Sequence, residues 1–143
     1  MADIFHNLIV NAKPEPVFRA ISTPEGLNKW WTLTCSGAPQ EGGEYNLGFG
    51  PGYDWRAEVS RCTPDSEFEL IFTEADTDWQ GSRLKFVLKG QEDKTEVFFK
   101  HEGWPEDNEH YRISCFCWAM YLRLMKRFVE FGEVVPYNSR LDV

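Results

Sequence analysis

His101 is the residue whose type and position best suit chemistry in this sequence. It ends a segment in which Thr95, Val97 and Phe99 alternate with polar residues, so a β-strand here would point His101 to the same inner face. An inward imidazole titrates near neutral pH and can orient a ligand or act as an acid or base. The plainer alternative is a core histidine that is bonded to a backbone carbonyl or to a tyrosine.

Two further segments are conspicuous, but neither has the spacing of a known site. The acidic stretch at 74–78 lacks the glycine and spacing of a calcium loop, and the glycine-rich stretch at 48–52 lacks the strand–helix context of a phosphate loop. We interpret the first as a surface loop and the second as a turn, with a flexible loop beside a pocket as its alternative. The three histidines have no metal-ligand spacing, so we expect neither a metal nor another cofactor.

The cysteines indicate no redox or zinc chemistry. Cys115 and Cys117 are two residues apart, which on a helix places them on different faces and matches neither a zinc knuckle nor a CxxC pair. We interpret the four cysteines as free thiols of a reducing cytosol. A bridge between Cys35 and Cys62 is an alternative that the sequence leaves open.

Charge and hydropathy exclude several classes of partner. The net charge is −8 in 143 residues, and no cluster of Lys and Arg could follow a phosphate backbone, so we expect no nucleic-acid partner. An anionic membrane surface would repel the chain, and no apolar run is long enough to span a bilayer. The first ten residues do not read as a secretory signal. We therefore expect a single cytoplasmic domain over residues 1–143.

The order of predicted elements indicates an α+β fold. A first strand at 4–10 is followed by two short helices, which Pro14 and the Thr23-Pro24 pair introduce. Alternating strands then recur about every twelve residues, at 44–50, 54–62, 67–72, 82–90 and 94–103. Hairpin-linked strands with one solvated face predict a curved antiparallel sheet of about six strands, with the helices grouped beside it.

A long helix is predicted over 107–131, between the acids that follow Pro105 and a stop at Gly132. It has two apolar stripes, which is more than one sheet face should cover. The first contains Cys115, Trp118, Leu122, Met125 and Val129, and the second contains Cys117, Tyr121, Leu124, Phe128 and Phe131. Either the helix is almost engulfed by its own chain, or the second stripe contacts another subunit in a homodimer.

Aromatic residues make up 15% of the chain, and the predicted elements bring many of them between the sheet and the long helix. Aromatic side chains line small-molecule pockets, and a few polar groups orient the ligand there. We therefore expect a pocket for a small hydrophobic or aromatic molecule; dry packing without a cavity is the alternative. The expected ligand-binding residues are Trp31, Tyr53, Trp55, Phe72, Phe86, Thr95, Phe99, His101, Trp118, Tyr121, Leu122 and Met125.

Four motifs follow one another along the sequence. The first is a Pro-Glu-x-Val-aromatic helix, interrupted here by Pro16, and the second is a Thr-Pro-Glu helix that ends in Trp30-Trp31. The segment 95–104 has the pattern Thr-x-Val-x-Phe-x-His-x-Gly-Trp, and the last helix contains Trp118, Leu122, Glu130 and Gly132. In this order the motifs resemble the START-like, birch-pollen-allergen-like superfamily, and especially its homologues of the activator of heat-shock-protein-90 ATPase.

The resemblance implies a helix-grip fold, in which the sheet wraps the last helix and leaves a cavity. Superfamily members include lipid and hormone carriers, polyketide cyclases and co-chaperone domains, so the fold does not identify one activity. Binding of a small hydrophobic ligand without catalysis is our leading hypothesis. The alternatives are a cyclase- or hydratase-like enzyme that uses His101 as acid or base, and a co-chaperone-type module. The co-chaperone has a further amino-terminal domain that these residues lack, so we do not expect ATPase activation.

Overall fold

The computed structural model describes residues 2–143 and contains one seven-stranded antiparallel sheet. Its strands are β1 (Ala2–Val10), β2 (Thr34–Ser36), β3 (Glu44–Gly48), β4 (Asp54–Thr63), β5 (Glu67–Glu74), β6 (Arg83–Gln91) and β7 (Lys94–Trp104). The order across the sheet is β1-β7-β6-β5-β4-β3-β2. Strands β2 to β7 are neighbours in chain order, and the N-terminal strand β1 pairs with the last strand, β7.

Alternation of apolar and polar residues sets the register of the strands. In β7, Val97, Phe99 and His101 are buried, and in β6 the residues opposite them, Leu88, Phe86 and Leu84, are buried too. A slip of one residue would turn these side chains to water, so burial of one face fixes the pairing. The inner and outer faces predicted from the sequence for these strands are therefore confirmed.

Two short helices connect β1 to β2. Helix α1 (Pro14–Ser22) has proline in its first turn, and its Val17, Phe18 and Ile21 are buried. Helix α2 (Pro24–Leu27) is capped by the Thr23 hydroxyl, which accepts a hydrogen bond from the Gly26 N–H at 3.0 Å. These features match the predicted caps, but α2 is one turn long and the chain continues through turns to the buried Trp30 and Trp31.

The long helix α3 (Glu109–Phe131) begins two residues later than predicted. Of the acids after Pro105, Glu106 and Asp107 precede the helix and Glu109 is its first residue, because the Asn108 side chain caps the helix by accepting a hydrogen bond from the Tyr111 N–H at 2.9 Å. Its end is as predicted, since Gly132 adopts a left-handed conformation with φ of 68° and bonds back to Phe128.

Helix α3 lies along the open edge of β1 and bonds to its backbone. The Tyr111 hydroxyl donates to the Asp3 carbonyl at 2.6 Å, and Lys126 Nζ donates to the Ile9 carbonyl at 2.7 Å. The Glu130 carboxylate accepts from the Asn11 N–H at 2.8 Å. Side chains of α3 thus cover an edge that would otherwise offer unpaired backbone groups to another strand. The sheet grips the helix, as the predicted helix-grip fold requires.

The segment after α3 decides between the two alternatives for the second apolar stripe. It contains a 3-10 helix at Tyr137–Asp142, and Arg140 inside it is 3% exposed. The Arg140 guanidinium donates to the carbonyls of Asn28, Thr32 and Val135. These bonds hold the segment after α3, residues 133–143, against the turns that follow α2. We call this segment the tail. Leu124 of the second stripe is buried and Tyr121 is half-buried. The tail therefore covers much of the second stripe, and Phe131 at the end of that stripe is 73% exposed.

The structure refines the predicted number of strands and confirms the interpretation of the cysteines as free thiols. Seven strands are present where about six were expected, because β2 has only three residues and pairs with β3 without an alternating pattern of its own. All four cysteines are free thiols, with Cys62 Sγ donating to the Pro39 carbonyl at 3.1 Å. No helix within residues 2–143 is both long and apolar enough to cross a bilayer.

Candidate functional site

Aromatic side chains from most of the sheet meet α3 and form the centre of the molecule. We call this group the aromatic cluster; its members are Trp31, Phe49, Trp55, Phe72, Trp79, Phe99, His101 and Trp118. Phe99 and Trp118 have ring centroids 4.7 Å apart, and Trp31 lies 5.2 Å from Trp118. Such spacings are direct ring contacts. Side chains therefore occupy the space between the sheet and α3.

His101 lies inside this cluster and is fully buried. Its Nδ1 accepts a hydrogen bond from the Trp118 indole at 3.1 Å, and its Nε2 is 2.8 Å from the Ser82 hydroxyl. Because an indole nitrogen only donates, Nδ1 carries no proton and the neutral ring is protonated at Nε2. The Ser82 hydroxyl then accepts from His101 and donates to the Trp79 carbonyl at 2.5 Å. This polar relay joins α3, β7 and the loop before β6.

Burial lowers the pKa of His101 to about 3, and the nearby His110 acts in the same direction. A neutral ring is thus strongly favoured at any pH near neutrality. Both ring nitrogens are already occupied in the relay, so no lone pair is free to take a proton from a ligand. The arrangement suits a structural histidine, with serine and tryptophan as partners in place of the expected carbonyl or tyrosine.

The structure brings most of the predicted ligand-binding residues together. Trp31, Trp55, Phe72, Phe99, His101 and Trp118 belong to the aromatic cluster. Phe86 touches Phe99 with centroids 5.3 Å apart, and Leu122 and Met125 are buried in the same core. Tyr121 lies at the rim, half-buried and 6.1 Å from Trp118 between ring centroids. Burial raises the pKa of its phenol.

Thr95 and Tyr53 lie apart from the cluster. The Thr95 hydroxyl donates to the Ala12 carbonyl at 2.7 Å, six residues along β7 from His101 and so roughly 20 Å away. It fixes the turn after β1 and cannot reach a ligand beside His101. Tyr53 is 58% exposed and lies on the surface. Face alternation placed Thr95 correctly inward but could not give its distance along the strand.

Two aromatic members and the serine of the relay were not among the predicted site residues. Trp79 is the single large apolar residue of the polar loop between β5 and β6, and it is buried at 8% exposure. Phe49 belongs to the glycine-rich turn between β3 and β4, and its ring contacts Trp31 and Trp55 at 5.4 and 5.1 Å. The signals that could have identified them are a large aromatic residue isolated in a polar loop for Trp79 and an aromatic residue between two glycines for Phe49.

Trp79 and Trp104 each have a buried indole N–H without an acceptor among residues 2–143. Trp79 makes ring contacts with Trp55 at 5.0 Å, with Phe72 at 5.2 Å and with His101 at 4.6 Å. An unpaired buried donor costs about 1–3 kcal/mol of stability. Trp79 therefore presents a hydrogen-bond donor in surroundings that are otherwise aromatic.

A surface depression of about 490 Å³ lies beside the cluster. Tyr53 and Trp55 line one side and the residues 74–76 line the other. It sits between the β3–β4 turn and the β5–β6 loop, which are the two segments that contribute Phe49 and Trp79. The glycine-rich segment is a turn, with Gly50 and Gly52 at positive φ, and it borders this depression.

The acidic stretch at 74–78 reaches α3 through its last residue. Asp78 Oδ2 lies 2.9 Å from His110 Nδ1 and accepts from Asn108 Nδ2 at 3.3 Å. The hydrogen bond from His110 holds the pKa of Asp78 below its usual range. Within residues 2–143, no three His, Cys, Asp or Glu side chains are placed to share a metal ion. This carboxylate connects the loop to the start of α3.

Solved structures with the same fold come from several bacteria. The Aha1 dimer from Colwellia psychrerythraea is 29% identical to this chain, with a TM-score of 0.83, and the match covers 93% of this chain and 99% of that one. Protein MLL2253 from Mesorhizobium loti is 16% identical, with a TM-score of 0.81 and coverage of 93% and 100%. CalU16 from Micromonospora echinospora is 20% identical, with a TM-score of 0.72 and coverage of 91% and 77%.

No curated protein matched the sequence. The family described as "Activator of Hsp90 ATPase homolog 1-like protein" matches residues 11–130. That range extends from the turn after β1 to the end of α3, and so it contains the whole aromatic cluster and the polar relay. The motifs that suggested the resemblance, from the Thr-Pro-Glu helix to Trp118, lie inside it. The chain therefore belongs to the family of Activator of Hsp90 ATPase homolog 1-like proteins.

Proposed function

We propose that the protein binds a small hydrophobic or aromatic molecule at the aromatic cluster, between the sheet and α3. The observation that carries this proposal is the unpaired, buried indole N–H of Trp79. A ligand with an aromatic body and one acceptor atom would pair with this donor while its body contacts the rings of Trp55 and Phe72. Ring contacts of this kind add about 0.5–1.5 kcal/mol beyond the area that they bury.

Entry of a ligand requires a ring to move, because the cluster is packed. Trp79 is the ring best placed to do so, since it belongs to a loop and not to a strand or helix. The loop is held by the relay through the Trp79 carbonyl and by the contact of Asp78 with His110. The depression lined by Tyr53 and Trp55 opens beside this loop. We infer that a ligand enters there as the Trp79 side chain shifts.

The same geometry favours binding over catalysis. His101 has both nitrogens engaged, and its lowered pKa keeps the ring neutral. A general acid or base needs a free proton or lone pair within reach of the substrate. Proton transfer by His101 would therefore require the relay to open first.

The probe for the first experiment is anilinonaphthalene sulfonate, an aromatic dye whose fluorescence rises in apolar sites. We expect the native protein to bind it, and Trp55→Ala to weaken binding by about tenfold. Trp79→Phe removes the donor but keeps a ring, so it should weaken binding of the dye less than Trp55→Ala does. Near-ultraviolet circular dichroism of each variant would verify that the core remains packed. Native mass spectrometry of the purified protein is the parallel search for a co-purified molecule.

The control for this experiment is Phe116→Ala, which alters a groove that Phe116 and Met120 of α3 form with Val135 and Val143 on the side of the helix away from the cluster. If the dye signal falls in Phe116→Ala and persists in Trp55→Ala, the dye binds that groove and the proposal is wrong. A native protein that binds neither the dye nor any co-purified molecule also contradicts it.

A second candidate function is self-association. Phe116 on α3 is 78% exposed, which is unusual for a phenylalanine on a packed helix. The family member from Colwellia psychrerythraea, at 29% identity, is described as a dimer. We propose that this chain also forms a homodimer, and sedimentation equilibrium at micromolar concentration tests it. A mass equal to one chain would contradict this proposal.

Chaperone binding is a further prediction, and it rests on the family name alone. A pull-down with the middle domain of the chaperone tests it directly. A chain that is retained no better than a Phe116→Asp control would contradict specific binding through the exposed face of α3.

A further inference from the structure

The outer face of α3 carries a regular stripe of residues that are exposed, apart from Met120, which is half-buried. We call it the outer stripe; its members are Glu109, Ile113, Phe116, Met120, Arg123 and Arg127. Their spacing alternates between four and three residues, which is the spacing of a helix–helix seam. Phe116 is 78% exposed and Ile113 is 53% exposed, whereas Trp118 on the opposite face is 2% exposed. The outer stripe is thus a largely exposed seam with an apolar centre and charged ends.

The tail after α3 covers the neighbouring stripe and ends beside this one. Val135 and Val143 of the tail form one wall of a groove of about 470 Å³, and Phe116, Met120 and Arg123 lie along the other. Leu124, between the two, is buried. At the edge of β1, the Asp3 and Ile9 carbonyls already accept hydrogen bonds from α3, which disfavours pairing of a second sheet along that edge. The groove and the outer stripe together form an apolar surface that a second chain could contact.

Charges are distributed unequally along the outer stripe. Glu109 lies at its N-terminal end, next to the exposed acids Glu106 and Asp107, whereas Arg123 and Arg127 lie at its C-terminal end. Glu109 and Arg123 form no ion pair within residues 2–143, and Arg127 contacts Glu133 at 2.8 Å. Two parallel copies would place like charges together at both ends. Two antiparallel copies would place acid against base at both ends.

We propose that two copies of the chain pack their outer stripes against each other in antiparallel orientation. This inference rests on the proposed self-association and names its surface. A two-fold axis between Phe116 and Met120 sets each Phe116 against the partner's Met120. The same axis places Glu109 opposite the partner's Arg127, because both lie equally far from the centre. The interface is isologous, so every contact occurs twice and the assembly closes at two chains.

The decisive variant is Phe116→Asp, which puts a charge at the centre of the seam. The exposure of Phe116 means that the monomer should fold normally, which circular dichroism verifies. We expect the dimer dissociation constant, measured by sedimentation equilibrium, to rise by about 30-fold or more. Phe5→Asp is the matched control, because Phe5 is 62% exposed on the outer face of the sheet. It should leave the dissociation constant unchanged.

Charge reversal tests the antiparallel orientation separately. Glu109→Arg should raise the dissociation constant by about threefold to tenfold, because it faces the partner's Arg127 with a like charge. Adding Arg127→Glu in the same chain should restore most of the affinity. A double variant that is weaker than the single one would overturn the antiparallel arrangement.

The possible results distinguish a failure of the proposed surface from a failure of self-association itself. If the wild-type chain is monomeric, self-association itself fails, and the outer stripe is left to a partner of another kind. If the wild type is dimeric and Phe116→Asp is equally dimeric, self-association stands and the outer stripe is the wrong surface. Loss of the dimer in Phe116→Asp but not in Phe5→Asp supports the inference.

Discussion

Helix α3 carries large aromatic residues on two opposite faces, and their surroundings differ in kind. Trp118 is 2% exposed, contacts several rings and donates its indole proton to His101, whereas Phe116, two residues earlier, is 78% exposed. On the inner face, packing and hydrogen bonds are both provided by the chain itself. The outer stripe has apolar residues at its centre and unlike charges at its ends. The inner face thus contributes to folding, and the outer face is the one that the proposed dimer would use.

Truncation on the inner face should have the largest effect on stability. Trp118→Ala removes a buried indole and leaves a cavity, so we expect the free energy of unfolding in urea to fall by about 3–5 kcal/mol. Trp118→Phe retains most of the ring and loses the donor to His101. A smaller loss, on the order of 1–2 kcal/mol, is expected for it. Equal losses in the two variants would show that the hydrogen bond, and not the ring, dominates.

The tail should show an intermediate effect. Arg140→Met keeps an apolar stem but removes the donors to the Asn28, Thr32 and Val135 carbonyls, so a loss of about 1.5–3 kcal/mol is expected. Hydrogen exchange of residues 133–143 should speed up, because the tail loses its anchor. The matched control is Arg56→Met, since Arg56 makes only exposed ion pairs with Glu44 and Glu74. Similar losses in both variants would contradict an anchoring role for Arg140.

Acid should weaken the inner face through His101. The pKa of this residue is lowered from 6.5 to about 3 in the folded chain, so below pH 6.5 the unfolded chain takes up a proton that the folded chain does not. Its contribution to the free energy of unfolding should fall by about 1.4 kcal/mol for each pH unit from about 6.5 down to about 3. His101→Gln should remove this slope, while the contact of Asp78 with His110 remains in both proteins. Identical slopes would contradict the assignment.

Strand faces and helix caps could be predicted from the sequence because they depend on local patterns. The buried faces of β6 and β7, the Thr23 cap and the Gly132 stop follow from residue type and spacing. The strand β2 and the cover over the second stripe of α3 depend on long-range contacts. Arg140 reads as an exposed charge in sequence, and only its three distant carbonyl partners make its burial favourable.

The candidate site was predicted in part for the same reason. Phe99, His101 and Trp118 lie on regular elements, so alternation and helical spacing gave their direction correctly, whereas Trp31 lies in the turns after α2. Trp79 and Phe49 lie in a loop and a turn, where no period applies. The partners of His101 could not be named, because Ser82 reaches it only through the pairing of β6 with β7. The division of α3 into an inner face and an outer stripe needed the position of the tail.

The smallest effect on folding is expected on the outer stripe, and there it should depend on protein concentration. In dilute solution, Phe116→Ala should change the free energy of unfolding by no more than about 0.5 kcal/mol, because the side chain is mostly hydrated already. If the wild type pairs through this residue, its thermal midpoint should rise with concentration, since association stabilises the folded chain by mass action. The midpoint of Phe116→Ala should stay nearly constant over the same range. A parallel rise in both proteins would place the contact elsewhere, and a loss in dilute solution as large as that of Trp118→Ala would erase the contrast between the two faces.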